Sequence, residues 1–276
     1  NMLYLICTPI GNLNDFSIRS INTLKQVDRI YSEDTRVTSR LLKHFDINKK
    51  SSSFHEHNEA HLTKEITELL IAGESIAIMS DAGAPLISDP GFPLIKSCID
   101  LKIAFTVLPG PSSVINAVLL SGLPLNQFTF YGFLPKQNSA KKEIATQLQA
   151  SGIPHVFFES VKRLVKTIDL FKEVLNPATQ IAICREMTKE YESVYRGSLE
   201  EISILLENSE IKLLGEIVIV IHAPKNSQDH FQLDEKFCRS FLEFLSPSDA
   251  SKLIAKITKL SKQEIYRHLL AISKSV

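Results

Sequence analysis

Ser75-Ile76-Ala77-Ile78-Met79-Ser80-Asp81-Ala82-Gly83-Ala84-Pro85 decides the fold. A short apolar run stops at Ser80-Asp81, and Gly and Pro follow. Runs of this length, bounded by turn residues, read as buried strands. The same grammar recurs on either side. Leu3–Cys7 is broken by Thr8-Pro9-Ile10-Gly11-Asn12, and Ile103–Leu108 by Pro109-Gly110-Pro111. Arg29–Ser32 reads as a further short strand. Between the strands, Ile18, Ile21, Leu24 and Val27 recur at helical spacing, and 37–45, 59–72, 93–101 and 113–121 read as helices. Short strands alternating with helices predict a mainly parallel sheet covered on both faces.

The pattern resets at Gly122-Leu123-Pro124. Residues 128–131, 155–158, 180–184 and 216–222 read as strands. The run Ile217-Val218-Ile219-Val220-Ile221 is unbroken and β-branched, so it belongs at the centre of a sheet, buried on both faces. A polar segment, Pro135–Lys142, precedes a helix running through Gln149. Ala223–Asp234 is polar and aperiodic and reads as a linker, after which the chain looks wholly helical. These breaks predict an α/β protein with two α/β domains, 1–122 and 123–225, and a linker with a small C-terminal helical segment over 226–276.

Composition narrows the class. With 276 residues, 44% hydrophobic and 22% charged, the chain can bury sizeable cores. Its formal net charge of zero excludes a binder driven by bulk charge, so any nucleic-acid contact must be local. The positive excess is in Ser246–Val276. There Lys252, Lys256, Lys259, Lys262, Arg267 and Lys274 face only Asp249 and Glu264, a net charge of +4. Lys252, Lys256 and Lys259 fall on one helical face, either an RNA-docking face or solvated surface. Cys7, Cys98, Cys184 and Cys238 lie far apart, signalling neither a zinc site nor a disulfide framework. No apolar stretch has membrane length, and no basic segment with an apolar core leads the chain. A cytoplasmic protein without membrane attachment is expected.

Three Gly- and Pro-rich loops, Thr8–Asn12, Ser80–Gly91 and Pro109–Ser113, each follow a strand of the first domain. Loops at the carboxyl ends of parallel strands gather along one edge, where ligands bind. Read singly, each loop is turn punctuation. Three together, one with a carboxylate at Asp81, point to a shared small-molecule site. Neither Gly-x-Gly-x-x-Gly nor a P-loop is present, which disfavours an ordinary dinucleotide or nucleoside triphosphate site.

The string Thr8-Pro9-Ile10-Gly11-Asn12-Leu13 resembles the opening of the ribosomal RNA small-subunit methyltransferase I group, within the tetrapyrrole methylase superfamily. The similarity continues in Glu33-Asp34-Thr35-Arg36, His55-Glu56-His57-Asn58-Glu59, SDAGAPLISDPG at 80–91, LPGPSS at 108–113 and GFLPK at 132–136. Further matches are Phe158-Glu159-Ser160, Arg185–Lys189, Arg196-Gly197 and the segment 260–266. The resemblance implies a two-domain tetrapyrrole-methylase-like fold with S-adenosylmethionine in the cleft. It further implies 2′-O-methylation of a cytidine in the decoding centre of 16S ribosomal RNA, within the 30S subunit, by a homodimer. Carried over by motif, Pro9, Gly11, Asp81, Gly83, Ala84, Ser113 and Val114 hold the cofactor, with Phe158, Met187 and Glu216 as the opposite wall. Two departures stand out. Cys7 replaces the Gly or Ala usual there, and Val161-Lys162 replaces the usual Pro-His.

A ribose hydroxyl is a poor nucleophile, so a base or a nearby cation helps. Glu33, Asp34, His57, Glu159, Glu186 and Lys189 are the candidates, with His55 beside them, and the sequence does not choose among them. Arg36, His55, His57 and Lys136 are candidate RNA contacts, as are Lys141 and Lys142 beside the polar segment. The plainer readings are a helix N-cap at Asp34 or Thr35, an Asn58 or Glu59 cap, and solvated charge at 185–190. A metal is not expected at His55-Glu56-His57. Two other readings remain open: a methylase of the same fold acting on a tetrapyrrole or a modified protein residue, and a ribosome-assembly binder without catalysis.

Overall fold

The first sheet is built from alternation. In a computed structural model, which describes residues 2–87, 89–177, 179–224, 235–258 and 260–273, β1 (Leu3–Ile6) and β4 (Ile76–Met79) lie side by side at its centre. Leu3, Leu5, Ile76 and Ile78 point to one face, and Ile6, Ala77 and Met79 to the other. Around them lie β2 (Arg29–Ser32), β3 (Ser51–Ser53) and β5 (Phe105–Leu108). The order is β3-β2-β4-β1-β5 and every pairing is parallel. Helices α1 (Ile18–Gln26) and α2 (Thr35–His44) cover one face through Leu24, Leu41 and Leu42. The other face is covered by α3 (Glu59–Ile71) and α4 (Phe92–Asp100) through Ile66, Leu70, Leu94 and Cys98.

The second sheet is mixed. It runs β6 (Thr129–Phe133), β7 (His155–Ser160), β10 (Glu216–His222), β8 (Gln180–Arg185), β9 (Ser193–Ser198). Only the β6–β7 pairing is parallel. The β-branched run is the central strand and is buried, as its composition predicts. Ile217, Ile219 and Ile221 face α6 (Asn138–Ser151), α7 (Val161–Val174) and α8 (Leu199–Glu207). Val218 and Val220 face the other way, with Val156, Ala182 and Cys184. That face is covered by α5 (Ser113–Ser121), through Val114, Ala117 and Val118.

By sequence α5 belongs to the first lobe, yet it packs on the second sheet. Arg196 fastens its end by donating to the Leu120 carbonyl (Nε···O 2.8 Å). Residues 1–224 accordingly form one compact unit. Residues 225–276 form another, where α9 (Glu235–Leu242), α10 (Pro247–Thr258) and α11 (Lys262–Ser273) share a small core of Cys238, Ala250, Ile254, Ile265, Leu269 and Ile272. Of the expected basic face, Lys252 pairs with Asp249 (2.9 Å) and Lys259 lies outside the described residues, as does most of the expected linker.

Several local expectations are corrected. Helix α6 starts at Asn138, inside the segment read as polar loop, and Lys141 on it is buried rather than offered to RNA. Asn58 makes no capping bond to α3. Its carboxamide instead closes the preceding turn, accepting from the His55 N–H (2.8 Å) and donating to the Ser53 carbonyl (3.0 Å). Glu59 accepts from the Gly91 N–H rather than capping its own helix.

Gly11 is where the first loop meets the second lobe. A Cβ there would lie 2.5 Å from Lys189 Cγ, 2.7 Å from Thr188 Oγ1 and 3.0 Å from the Met187 carbonyl. The adjacent Asn12 N–H donates to Thr188 Oγ1 (3.0 Å). Gly11→Ala is therefore expected to lower stability by about 1–3 kcal/mol, as overpacking does. Equilibrium denaturation reads the change, and an unaltered midpoint would refute the contact's importance.

Candidate functional site

Because all strands of the first sheet are parallel, the loops after β1, β2, β4 and β5 emerge at one edge. They are tied together there. Thr8 and Gly83 exchange backbone hydrogen bonds (2.9 and 3.0 Å). Thr8 Oγ1 donates to the Ser80 carbonyl (3.1 Å), and Ser80 Oγ to the Gly83 carbonyl (2.7 Å). Gly83 sits at φ +83°, a conformation glycine adopts without strain. Cys7 crowds the loop after β5: a Cβ on Gly110 would lie 2.9 Å from Cys7 Cβ, so glycine is required opposite the bulkier residue.

These loops form one wall of a cavity of about 470 Å³, and the second lobe forms the other. The volume is within the roughly 300–1,000 Å³ typical of small-molecule sites. Of the residues expected at the cofactor, Gly83, Ala84, Ser113, Val114, Phe158, Met187 and Glu216 line it. Pro9, Gly11 and Asp81 do not. Ile10 between the first two does, and Asp81 Oδ1 accepts the Asp34 N–H (3.0 Å), bracing the end of β2. Asp89, Phe133, Val161 and Lys162 also line the cavity and were not among the expected contacts. For Asp89 the signal was present, since it shares the loop with Asp81.

The walls suit S-adenosylmethionine. Ile10, Val114, Phe158 and Met187 supply apolar surface for an adenine. Ser112, which caps α5, and Ser113 bring the start of that helix to the cavity, where backbone N–H groups favour a carboxylate. Asp89 and Glu216 bring negative charge for a cationic ligand.

The candidate bases separate by environment. Glu159 has a wholly buried carboxyl group. Oε1 accepts the Ser160 N–H (2.7 Å) and pairs with Arg163 (2.5 Å), while Oε2 accepts from Thr167 (2.8 Å) and lies 3.6 Å from Lys141 Nζ. It lines the cavity, but both carboxyl oxygens are occupied by these partners. Glu186 is bound on one side by Lys189 (2.9 Å) and on the other by the Glu216 N–H (2.8 Å). Burial opposes its charge, but those partners outweigh it and hold its pKa low. Lys189, which also pairs with Glu216 (2.9 Å), is desolvated yet has its pKa raised by the two carboxylates. Both are fixed as an ion cluster. Asp34 caps α2 and grips Arg36 (2.6 Å), whose hydrogen bonds lower its pKa to about 2. His57 is exposed. His55 has a buried, unpartnered Nδ1, and its charge acts on Glu33. Arg36, His55, His57 and Lys136 do not line the cavity.

Two carboxyl groups are pushed the other way. Burial, Asp81 and Asp34 raise the pKa of Glu33. Burial, Glu33 and Asp81 raise that of Asp89 to about 6. Among the described residues nothing donates a hydrogen bond to the Asp89 carboxylate. A raised folded-state pKa favours the protonated fold, so its stability contribution is complete below 3.8 and is lost as pH rises through about 6. Across that window the unaltered chain should lose more stability than Asp89→Asn, measured by denaturant midpoints at several pH values. Parallel curves would refute the shift. Lys141→Ala leaves Glu159 with Arg163 as its one cationic partner among the described residues, and a loss of about 3 kcal/mol is expected in the same assay, the low end for breaking a buried ion pair.

The sequence pattern of the tetrapyrrole (corrin/porphyrin) methylases matches residues 2–203. A "Ribosomal RNA small subunit methyltransferase I" of Halalkalibacterium halodurans is 43% identical over 219 residues, 79% of this chain and 75% of its own. One from Xylella fastidiosa is 38% identical over 266 residues, 96% and 97% of the two chains. Among solved structures, a diphthine synthase superposes with a TM-score of 0.61 at 12% identity, covering 80% of this chain and 90% of its own, which is a likeness of fold. With sequence similarity along nearly the full length of both chains, this protein belongs to the ribosomal RNA small subunit methyltransferase I family of the tetrapyrrole methylases.

Proposed function

We propose that this chain transfers a methyl group from S-adenosylmethionine to the 2′-hydroxyl of a cytidine ribose in the decoding centre of 16S ribosomal RNA. The observation that carries the reading is the cavity between the two sheets, in a chain whose relatives are named for small-subunit ribosomal RNA. S-adenosylmethionine supplies an electrophilic methyl on a sulfonium, and the protein's part is to position, exclude water and move one proton.

In this reading Asp89 accepts the hydroxyl proton as the ribose oxygen takes the methyl. It faces the cavity, it is free of hydrogen-bond donors among the described residues, and its pKa of about 6 leaves it ionised yet basic near neutral pH. Gly83, Ala84, Val114 and Met187 hold the cofactor between the lobes. The assembled 30S subunit as substrate, a homodimer and a cytoplasmic setting belong to the same proposal. Exposed Val107 on edge strand β5, with Ile115 and Leu119 on α5, offers apolar surface for a second copy. No described helix is long and apolar enough to cross a membrane.

The test is methyl incorporation into 30S subunits and into naked 16S ribosomal RNA, both lacking the modification. One methyl on a cytidine ribose, found as an alkali-resistant linkage, is the expected product. A methyl on a base would overturn the ribose assignment. Binding of S-adenosylmethionine without incorporation into either RNA would turn the reading toward a tetrapyrrole or protein substrate. No cofactor binding by folded protein would leave the non-catalytic assembly factor.

A further inference from the structure

Strand β6 carries an irregularity that stability does not explain. Phe130 lies opposite Val156 and Phe133 opposite Phe158, so β6 spends one more residue than β7 over this stretch. Gly132, at φ +72°, is inside the bulge. In a regular strand, residues three apart point to opposite faces. Here Phe130 and Phe133 both meet Phe158, at centroid separations of 5.0 and 5.3 Å. Tyr131 goes to the other side and stacks on His155 and Phe157. The bulge re-aims Phe133 from the helix-covered face to the cavity.

The cost of that placement is visible. Phe133 is 63% exposed, though a ring this size ordinarily buries most of its surface. Phe158 meets it at an interplanar angle of 63°, and most of the ring stays in solvent. Two exposed lysines share its surroundings: Lys162 lines the same cavity, and Lys136 follows three residues further along the chain. An open aromatic face beside cations is how proteins take unpaired nucleotides, the ring stacking on the base and the cations meeting the backbone.

We propose that Phe133 is the stacking platform for the base of the nucleotide whose ribose is methylated, with Lys136 and Lys162 receiving the adjacent phosphates. The inference rests on the RNA-methylase reading above. It assigns the ring to substrate rather than cofactor on two grounds. The cofactor of that reading has no phosphate for the lysines. It is also enclosed by Gly83, Ala84, Val114 and Met187, whereas Phe133 stands on an edge strand at the rim.

Phe133→Ala, Phe133→Leu and Phe133→Tyr separate the possibilities, with methylation kinetics on unmodified 30S subunits and calorimetric binding of S-adenosylhomocysteine measured for each. Stacking predicts that Ala and Leu both raise KM for the subunit roughly ten-fold or more, within what one base–aromatic contact contributes. Tyr should restore it, and all three should bind S-adenosylhomocysteine as the unaltered chain does. If Leu matches Phe, the ring provides only apolar bulk and the proposal fails. If cofactor affinity falls in step with KM, the ring belongs to the cofactor and the proposal fails. Active unaltered protein with indifferent variants would overturn the platform alone, whereas inactive unaltered protein would overturn the methylase reading beneath it.

Discussion

A sheet with two apolar faces needs two covers, and the second sheet has only one of its own. Helices α6, α7 and α8 take the isoleucine face of β10. The opposite face, with Val156, Ala182, Cys184, Val218 and Val220, would be left in water without α5. Each such side chain buried is worth roughly 1.5–3 kcal/mol, so the demand is large against the total stability of a domain. Because α5 leaves directly from β5 of the first sheet, satisfying that demand also fixes where the two sheets stand. The cavity follows, since the start of α5 brings Ser112, Ser113 and Val114 to it.

Charge then holds what packing has placed. Lys141, Glu159, Arg163 and Thr167 form a mostly buried network that reaches the cavity wall at Glu159. A buried ion pair is a poor source of net stability, because desolvation consumes most of the attraction. Its value is geometric. Glu159 fixes Ser160, whose neighbours Val161 and Lys162 line the cavity, and Arg163 also binds the Leu134 carbonyl (3.1 Å), next to Phe133. On the other side, Glu186 receives the Glu216 N–H and pairs with Lys189, against which Gly11 packs. Both networks use charged side chains as struts beneath residues that line the cavity.

The sequence shows the strand–loop–helix grammar because it is local. Leu3–Ile6, Ile76–Met79 and Glu216–His222 announce themselves by unbroken apolar runs, and α5 by its length after a Pro-rich turn. Strands β3 and β9 are hard to see for the complementary reason. Ser51-Ser52-Ser53 is an edge strand of small polar residues held by its neighbour's backbone, and Ser193–Ser198 is an edge strand with only Val194 and Tyr195 to mark it. Helix α7 did carry a signal, in Leu164, Ile168 and Phe171 at helical spacing. The chemistry of charged residues was the least legible part. Lys141 and Glu159 look like solvated charge until α6 is laid against β7, and nothing local marks Phe133 as pointing out of its strand.

The acid–base division of the site comes from the same geometry. Several acidic residues lie near the loop edge or the cavity rim, and the sequence treats them alike. Asp34 has an arginine and a helix start to itself, and its pKa falls to about 2. Asp81 gives an oxygen to the Asp34 N–H. Glu216 is held by Lys189. Glu33 and Asp89 receive no such partner among the described residues, and each has its pKa raised by burial and by its neighbours' negative charge. Asp81 therefore does two things at once: it braces the end of β2, and with Glu33 it adds negative charge beside Asp89, whose pKa burial already raises. Arg36 and Lys189 are committed to Asp34, Glu186 and Glu216, which leaves the negative charge around Asp89 unopposed by either.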